Sequence, residues 1–214
     1  PNAIRAQSYL YRVPLRPRAM STPYPVAFIP FGVALNGVPC DPSAAEFWQN
    51  NPRSGWQYEA LSGKVDLGMD YSHAHVQPDG AYHYHGIPQD LIETRGGVGE
   101  MLLIGYAADG FPIYGPYGYA DPDNPKKGFK LMRSSYRLRK GTRSSGPGGV
   151  YDGTFVQDYE FVAGSGDLDM CNGRYGPTPE HPEGIYHYFI TEEFPFVPRY
   201  LRGIPDPSFL RRGR

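Results

Sequence analysis

His75-Val-Gln-Pro-Asp-Gly-Ala-Tyr-His-Tyr-His85 is the stretch on which the reading of this chain turns, and His181-Pro-Glu-Gly-Ile-Tyr-His-Tyr-Phe189 repeats its turn-plus-strand phrase later in the chain. With His73 just upstream of the first copy, these segments hold all 6 histidines of the 214 residues. In a strand, successive side chains point to opposite faces, so His83 and His85 share one face and Tyr82 and Tyr84 the other. Gln77-Pro-Asp-Gly80 places Pro at the second position of a type I turn and Gly at the left-handed position after it. That is the pattern of a three-residue hairpin loop with a glycine bulge. The loop pairs Gln77 with Ala81, hence His75 with His83 and His73 with His85. All four imidazoles then leave one face, with directly opposed Cβ atoms about 4.5 to 5.5 Å apart.

Neutral imidazoles packed this closely suit a zinc, copper, iron or nickel ion, and any proton entering the patch would repel the next. The plainer alternative is a set of ordinary sheet histidines beside packed tyrosines. In the second copy the same turn across residues 180–184 would put Pro179 opposite His187, so that hairpin has no facing pair. His187 is then expected either to complete the first site from a neighbouring strand or to hydrogen-bond around it, with His181 exposed in its turn.

The rest of the composition predicts a mainly β protein. It has 27 Gly and 23 Pro, which would suggest disorder were it not for 14% aromatic residues. Aromatic anchors with Gly/Pro punctuation predict one domain over 1–214, built of short antiparallel strands and long ordered loops with at most one or two short helices. A net charge of −1 gives no general case for nucleic acid. No run approaches the roughly 18 apolar residues that cross a bilayer. Cys40 and Cys171 match no zinc spacing and are read as either one disulfide or two buried thiols. The start at Pro1 rather than Met is read as a sign of processing or truncation.

Strands are expected at 8–13, 26–29, 31–35, 56–61, 63–67 and 154–162, with a tight turn at Asn36-Gly37. The apolar stretch 101–107 and the aromatic tract 111–119 should be extended, and 44–49 is the best helix. The basic run from Lys130 to Arg143 reads as a solvated face, or else as a local site for an anion. Asp167, Asp169 and Asn172 could hold calcium, but turn chemistry explains them and their spacing does not fit a calcium loop.

These residues resemble the YHYH protein family, named for the tetrapeptide that stands here as Tyr82-His-Tyr-His85. The likeness extends through 31–39, 75–88, 105–115, 169–174, 184–188 and 194–199, and so over most of 28–203. The resemblance implies an exported protein, secreted or periplasmic, and a ligand set of His75, His83 and His85. The family pattern more often has a small residue or cysteine at the position of His73, which sets that residue apart. It also raises Asp109, at a Gly/Pro-bounded turn, as a candidate proton acceptor near the metal, against its plain role in the turn.

Three histidines leave an open coordination position, as reactive sites do. The expectation is a mononuclear copper redox enzyme, with Tyr106, Tyr114, Tyr117, Tyr119, Tyr186 and Tyr188 as redox-capable neighbours. The alternatives are a zinc hydrolase and a non-enzymatic metal- or carbohydrate-binding module. The substrate, a small molecule or a polymer, is unnamed because no cofactor fingerprint, phosphate loop or nucleophile elbow is present.

Overall fold

The apolar stretch ending at Ala107 and the aromatic tract beginning at Phe111 are joined by the tight turn Asp109-Gly110, and they form the centre of a sheet in the computed structural model, which describes residues 2–210. In chain order the strands are β1 (Tyr24–Pro25), β2 (Gly32–Ala34), β3 (Pro39–Cys40), β4 (Ala74–Val76), β5 (Tyr82–Tyr84), β6 (Leu103–Ala107) and β7 (Pro112–Tyr114). They continue as β8 (Tyr117–Tyr119), β9 (Phe129–Leu131), β10 (Tyr136–Leu138), β11 (Tyr159–Phe161), β12 (Gly173–Gly176), β13 (Ile185–Phe189) and β14 (Tyr200–Leu201). The only α-helices among the described residues are α1 (Gln89–Thr94) and α2 (Pro207–Leu210). The protein is mainly β, as its composition predicts.

Eight strands form one sheet in the order β12-β13-β7-β6-β2-β3-β5-β4. The pairs β13/β7 and β3/β5 are parallel, so the sheet is mixed and not antiparallel throughout. Both parallel partners are far apart in sequence, as parallel neighbours must be. The pairs β1/β14, β8/β9 and β10/β11 flank the sheet as two-stranded ribbons. Close approach at the centre needs glycine: a Cβ on Gly105 would sit 2.2 Å from the Val33 carbonyl oxygen. Phe31, Ile104, Ile113, Tyr188 and Ile190 are fully buried around this point, and Phe31 meets Tyr188 edge-on at 4.8 Å between ring centroids. Each such side chain contributes about 1.5–3 kcal/mol on burial.

Several expected elements are absent. Residues 8–13 form no strand; they belong to an irregular strap laid across the molecule. Residues 26–29, 56–61 and 63–67 form no ladder either, beyond isolated bridges such as Phe47 to Gln57 and Tyr58 to Phe155. The expected helix at 44–49 is pre-empted because this segment pairs with the next one, through Trp48 N–H to the Trp56 carbonyl and Tyr58 N–H to the Glu46 carbonyl. Only a short 3-10 turn, Trp48–Asn50, remains. The expected strand at 154–162 is broken by the 3-10 turn Val156–Asp158, leaving β11.

Cys40 and Cys171 are free, buried thiols. The basic run resolves into ion pairs within the chain, Lys130 with Asp167, Arg133 with Glu193 and Arg139 with Glu160. Arg143 turns inward, donating to buried Asp158 from Nε at 2.7 Å and from Nη2 at 2.6 Å. Asp169 and Asn172 hold their loop together and tie it to β13: Asp169 accepts from Cys171 N–H, Gly173 N–H and the Tyr186 hydroxyl, and Asn172 Nδ2 donates to the Phe189 carbonyl.

Candidate metal centre

The first hairpin closes in the register that its turn residues dictate. Gln77 N–H donates to the Ala81 carbonyl and Gly80 N–H to the Gln77 carbonyl, both at 2.9 Å, with Gly80 at a φ of 89°. The ladder that follows sets His75 opposite His83. His85 lies one pleat further along the His83 face. Their three Nε2 atoms converge, at 3.1 Å from His75 to His83, 2.9 Å from His83 to His85 and 3.3 Å from His85 to His75. No other group of three or more His, Cys, Asp or Glu side chains among the described residues comes close enough to share an ion.

What lies behind the rings fixes which nitrogen carries the proton. His75 Nδ1 is 2.7 Å from the Leu67 carbonyl oxygen, and His83 Nδ1 is 3.4 Å from that of Ala81. A carbonyl oxygen only accepts, so each Nδ1 donates and each Nε2 presents a lone pair to the other. His85 Nδ1 has no well-formed partner and only a weak backbone contact with Asp41. Lone pairs facing one another at these distances repel unless a cation sits among them. Ligating histidines commonly have such an acceptor behind them. Four-coordinate bonds of about 2.0–2.1 Å require neighbouring nitrogens roughly 3.3 Å apart, close to the spans found here.

Electrostatics favour the ligand form. Burial pushes His83 down to about 4, with His75 adding to the effect. His85 is held well below its ordinary value by burial, then by His83, His75 and Arg199. Both imidazoles are therefore neutral at pH 7, ready to bind metal without first losing a proton.

His83 and His85 are only 4% and 3% exposed, whereas His75 is half-buried and opens onto a cleft of about 590 Å³. Asp41, Glu46 and Asp66 also line this cleft. Asp41 is there because β3 runs parallel to β5: Cys40 pairs with Tyr84, and the Asp41 N–H donates to the Tyr84 carbonyl at 2.8 Å. The sequence reading missed these acids. Asp41 follows a strand whose partner is distant in sequence, and nothing local marks Glu46 or Asp66.

The other expected site residues go elsewhere. The His73 carbonyl accepts from the His85 N–H as the register requires, but His73 has a φ of 54° and its Nδ1 pairs with the Ile87 carbonyl at 2.9 Å. That backbone turn takes its ring out of the cluster and into a separate hollow with Gln89 and Glu192. His187 sits on β13, with β7, β6, β2 and β3 between it and β5, so it cannot complete the centre. It faces Arg174, not Pro179, because residues 177–184 form a longer loop tied by reciprocal bonds between Thr178 and His181.

Asp109 is 2% exposed and lies outside the cleft lining. It accepts from the Tyr188 hydroxyl at 2.5 Å and the Gly203 N–H at 2.8 Å, which makes it a tie between the sheet and the C-terminal segment. None of Tyr106, Tyr114, Tyr117, Tyr119, Tyr186 and Tyr188 lines the cleft. They belong to β6, β7, β8 and β13.

No helix among the described residues is long and apolar enough to cross a membrane. No curated protein and no solved structure matches the chain. The tetrapeptide Tyr82-His-Tyr-His85 supplies two of the three convergent imidazoles, and the family described as YHYH protein matches residues 10–203, so the chain belongs to the YHYH family.

Proposed function

We propose that this protein is a mononuclear metalloenzyme that uses an ion held by His75, His83 and His85 to activate water against a substrate in the adjoining cleft. The observation that carries this reading is the convergence of three Nε2 atoms at 2.9–3.3 Å beside carboxylates that line the same cleft. A histidine-held zinc ion supplies a Lewis acid and a water nucleophile at neutral pH. Leu67 and Ala81 hold the imidazoles in the ligating tautomer, and burial keeps His83 and His85 neutral. Asp41, Glu46 and Asp66 are the groups in the cleft able to take a proton from water.

Copper redox chemistry is the second reading, favoured by the all-imidazole donor set. With the six tyrosines placed outside the cleft, it rests on the ligands alone. Export from the cytoplasm, which the family likeness implies, fits either metal.

The deciding experiment is the metal content of the purified protein against a His83→Ala, His85→Ala double variant, by elemental analysis. About one ion per wild-type chain and none in the variant is the expected result; equal metal in both would end the proposal. Electron paramagnetic resonance after oxidation separates the two metals. Azide binding to the cobalt-substituted protein tests for an open position, and an unchanged spectrum would leave a storage or binding protein.

A further inference from the structure

A second hollow, of about 100 Å³, adjoins the first and shares Asp41, Gln77 and His83 with it. Its walls include Tyr9, Tyr11, Pro30, Pro39 and Phe209, with Asp79 at its margin. Three of the aromatic walls, Tyr9, Tyr11 and Phe209, come from the two ends of the chain, and Tyr82 of the histidine hairpin supplies a fourth. Tyr11 stacks on Phe209 with ring centroids 4.6 Å apart and planes 26° from parallel, and Tyr9 leans on Tyr11 at 5.6 Å. The strap that carries these tyrosines is pinned to the histidine hairpin by Arg5 N–H to the Gly80 carbonyl at 3.0 Å and Asn2 Nδ2 to the Val76 carbonyl at 2.8 Å.

Two features narrow what would occupy this slot. Its volume of about 100 Å³, continuous with the first hollow along Asp41, Gln77 and His83, suits one compact head group whose remainder lies outside the slot. Its described lining is acidic: Asp41, Glu46, Asp66 and Asp79 line the two hollows, and no Lys or Arg among the described residues does. Carboxylates in the lining disfavour phosphate, sulfate and carboxylate groups. Tyrosine faces beside carboxylates attract the opposite class, an alkylated ammonium, by cation–π and direct charge interaction.

We infer that the slot formed by Tyr9, Tyr11 and Phe209 beside His83 is a recognition subsite for a small organic ammonium group. The further statement that this group belongs to the substrate rests on the metal-centre reading. The binding site itself does not.

The test uses the full chain stripped of metal with a chelator, titrated by calorimetry with choline and with its neutral isostere, in which carbon replaces the quaternary nitrogen. Choline is expected to bind at least about ten-fold tighter than the isostere, the ratio given by about 1.4 kcal/mol of cation–π and charge attraction. Tyr11→Ala and Asp79→Asn should each weaken choline binding several-fold without changing metal content. Asp79→Asn keeps the acceptor for the Ala81 N–H, so it tests charge without disturbing the turn. Equal affinity for choline and its isostere, no choline binding, or an unaltered affinity in Asp79→Asn would each overturn the inference. Because the titration is run without metal, failure of the metal centre shows only in the histidine variants and is read separately.

Discussion

His75 and His83 face each other across the hairpin with Nε2 atoms 3.1 Å apart and a backbone carbonyl behind each ring. Both rings are therefore aimed at a common point from behind. His75→Ala should weaken metal binding by more than the roughly 10–100-fold that loss of a supporting hydrogen bond costs a metal site. His73→Ala and His187→Leu, which change histidines outside the cluster, should leave it within a few-fold of wild type. Competition with a chromogenic chelator measures all three.

The pH dependence of stability should carry a signature of His187. Burial, then Arg174 and His181, lowers it to about 4, with a bond to the Ile185 carbonyl opposing them. The unfolded chain takes up a proton as pH falls through about 6.5, while the folded chain does so only near 4. The folded state is thus at full advantage above about 6.5 and loses it progressively down to about 4. His187→Leu should show a smaller loss of urea stability across that window, and parallel curves would refute the assignment.

Asp158 is completely buried and holds Arg143 by two hydrogen bonds, while also accepting from the Gly153 and Phe155 N–H groups. Removing it leaves the Arg143 side chain, only 6% exposed, with Asp152 and the Gly148 carbonyl as its remaining partners, and strips the Gly153 and Phe155 N–H groups of their acceptor. Asp158→Ala should cost about 3–5 kcal/mol in urea unfolding. The lost charge is structural, so the metal content of the folded fraction should not change.

Asp109→Asn separates a structural acid from a catalytic one. With its bonds to the Tyr188 hydroxyl and Gly203 N–H disturbed, the variant should lose about 1–3 kcal/mol of stability. Metal affinity and the azide-induced change in the cobalt spectrum should match wild type.

The candidate site was legible where its determinants are local. Pro78 and Gly80 fix the turn, the turn fixes the register, and the register sets His75 against His83; each step spans only a few residues. The second hairpin used the same residue types, but the Thr178–His181 pairing lengthened its loop and put Arg174 opposite His187. His73 departed for a similar reason: its left-handed backbone ends the alternation that would have aimed it at the centre.

At the level of the fold, the β class and the extended aromatic tract were readable. The eight-strand order was not, because the β3/β5 and β13/β7 neighbours are chosen by core packing between distant segments. The alternating 8–13 segment shows the limit of pattern reading. Its Tyr11 alternates in order to stack on Phe209, and the backbone around it gains a side-chain partner, Ser208, instead of a ladder. One helix could have been found: α1 follows Pro88 and ends before Gly96-Gly97, with the good helix formers Gln89, Leu91 and Glu93 between.

The three imidazoles, and the carbonyls of Leu67 and Ala81 that aim two of them, all come before residue 86. The Tyr11–Phe209 stack, by contrast, joins positions near opposite ends of the chain. During synthesis the hairpin can thus be made and drawn together across a short loop, at small entropic cost, long before Phe209 exists. Formation of the histidine hairpin and closure of the aromatic slot are separate events in time, and the later one requires a nearly complete polypeptide.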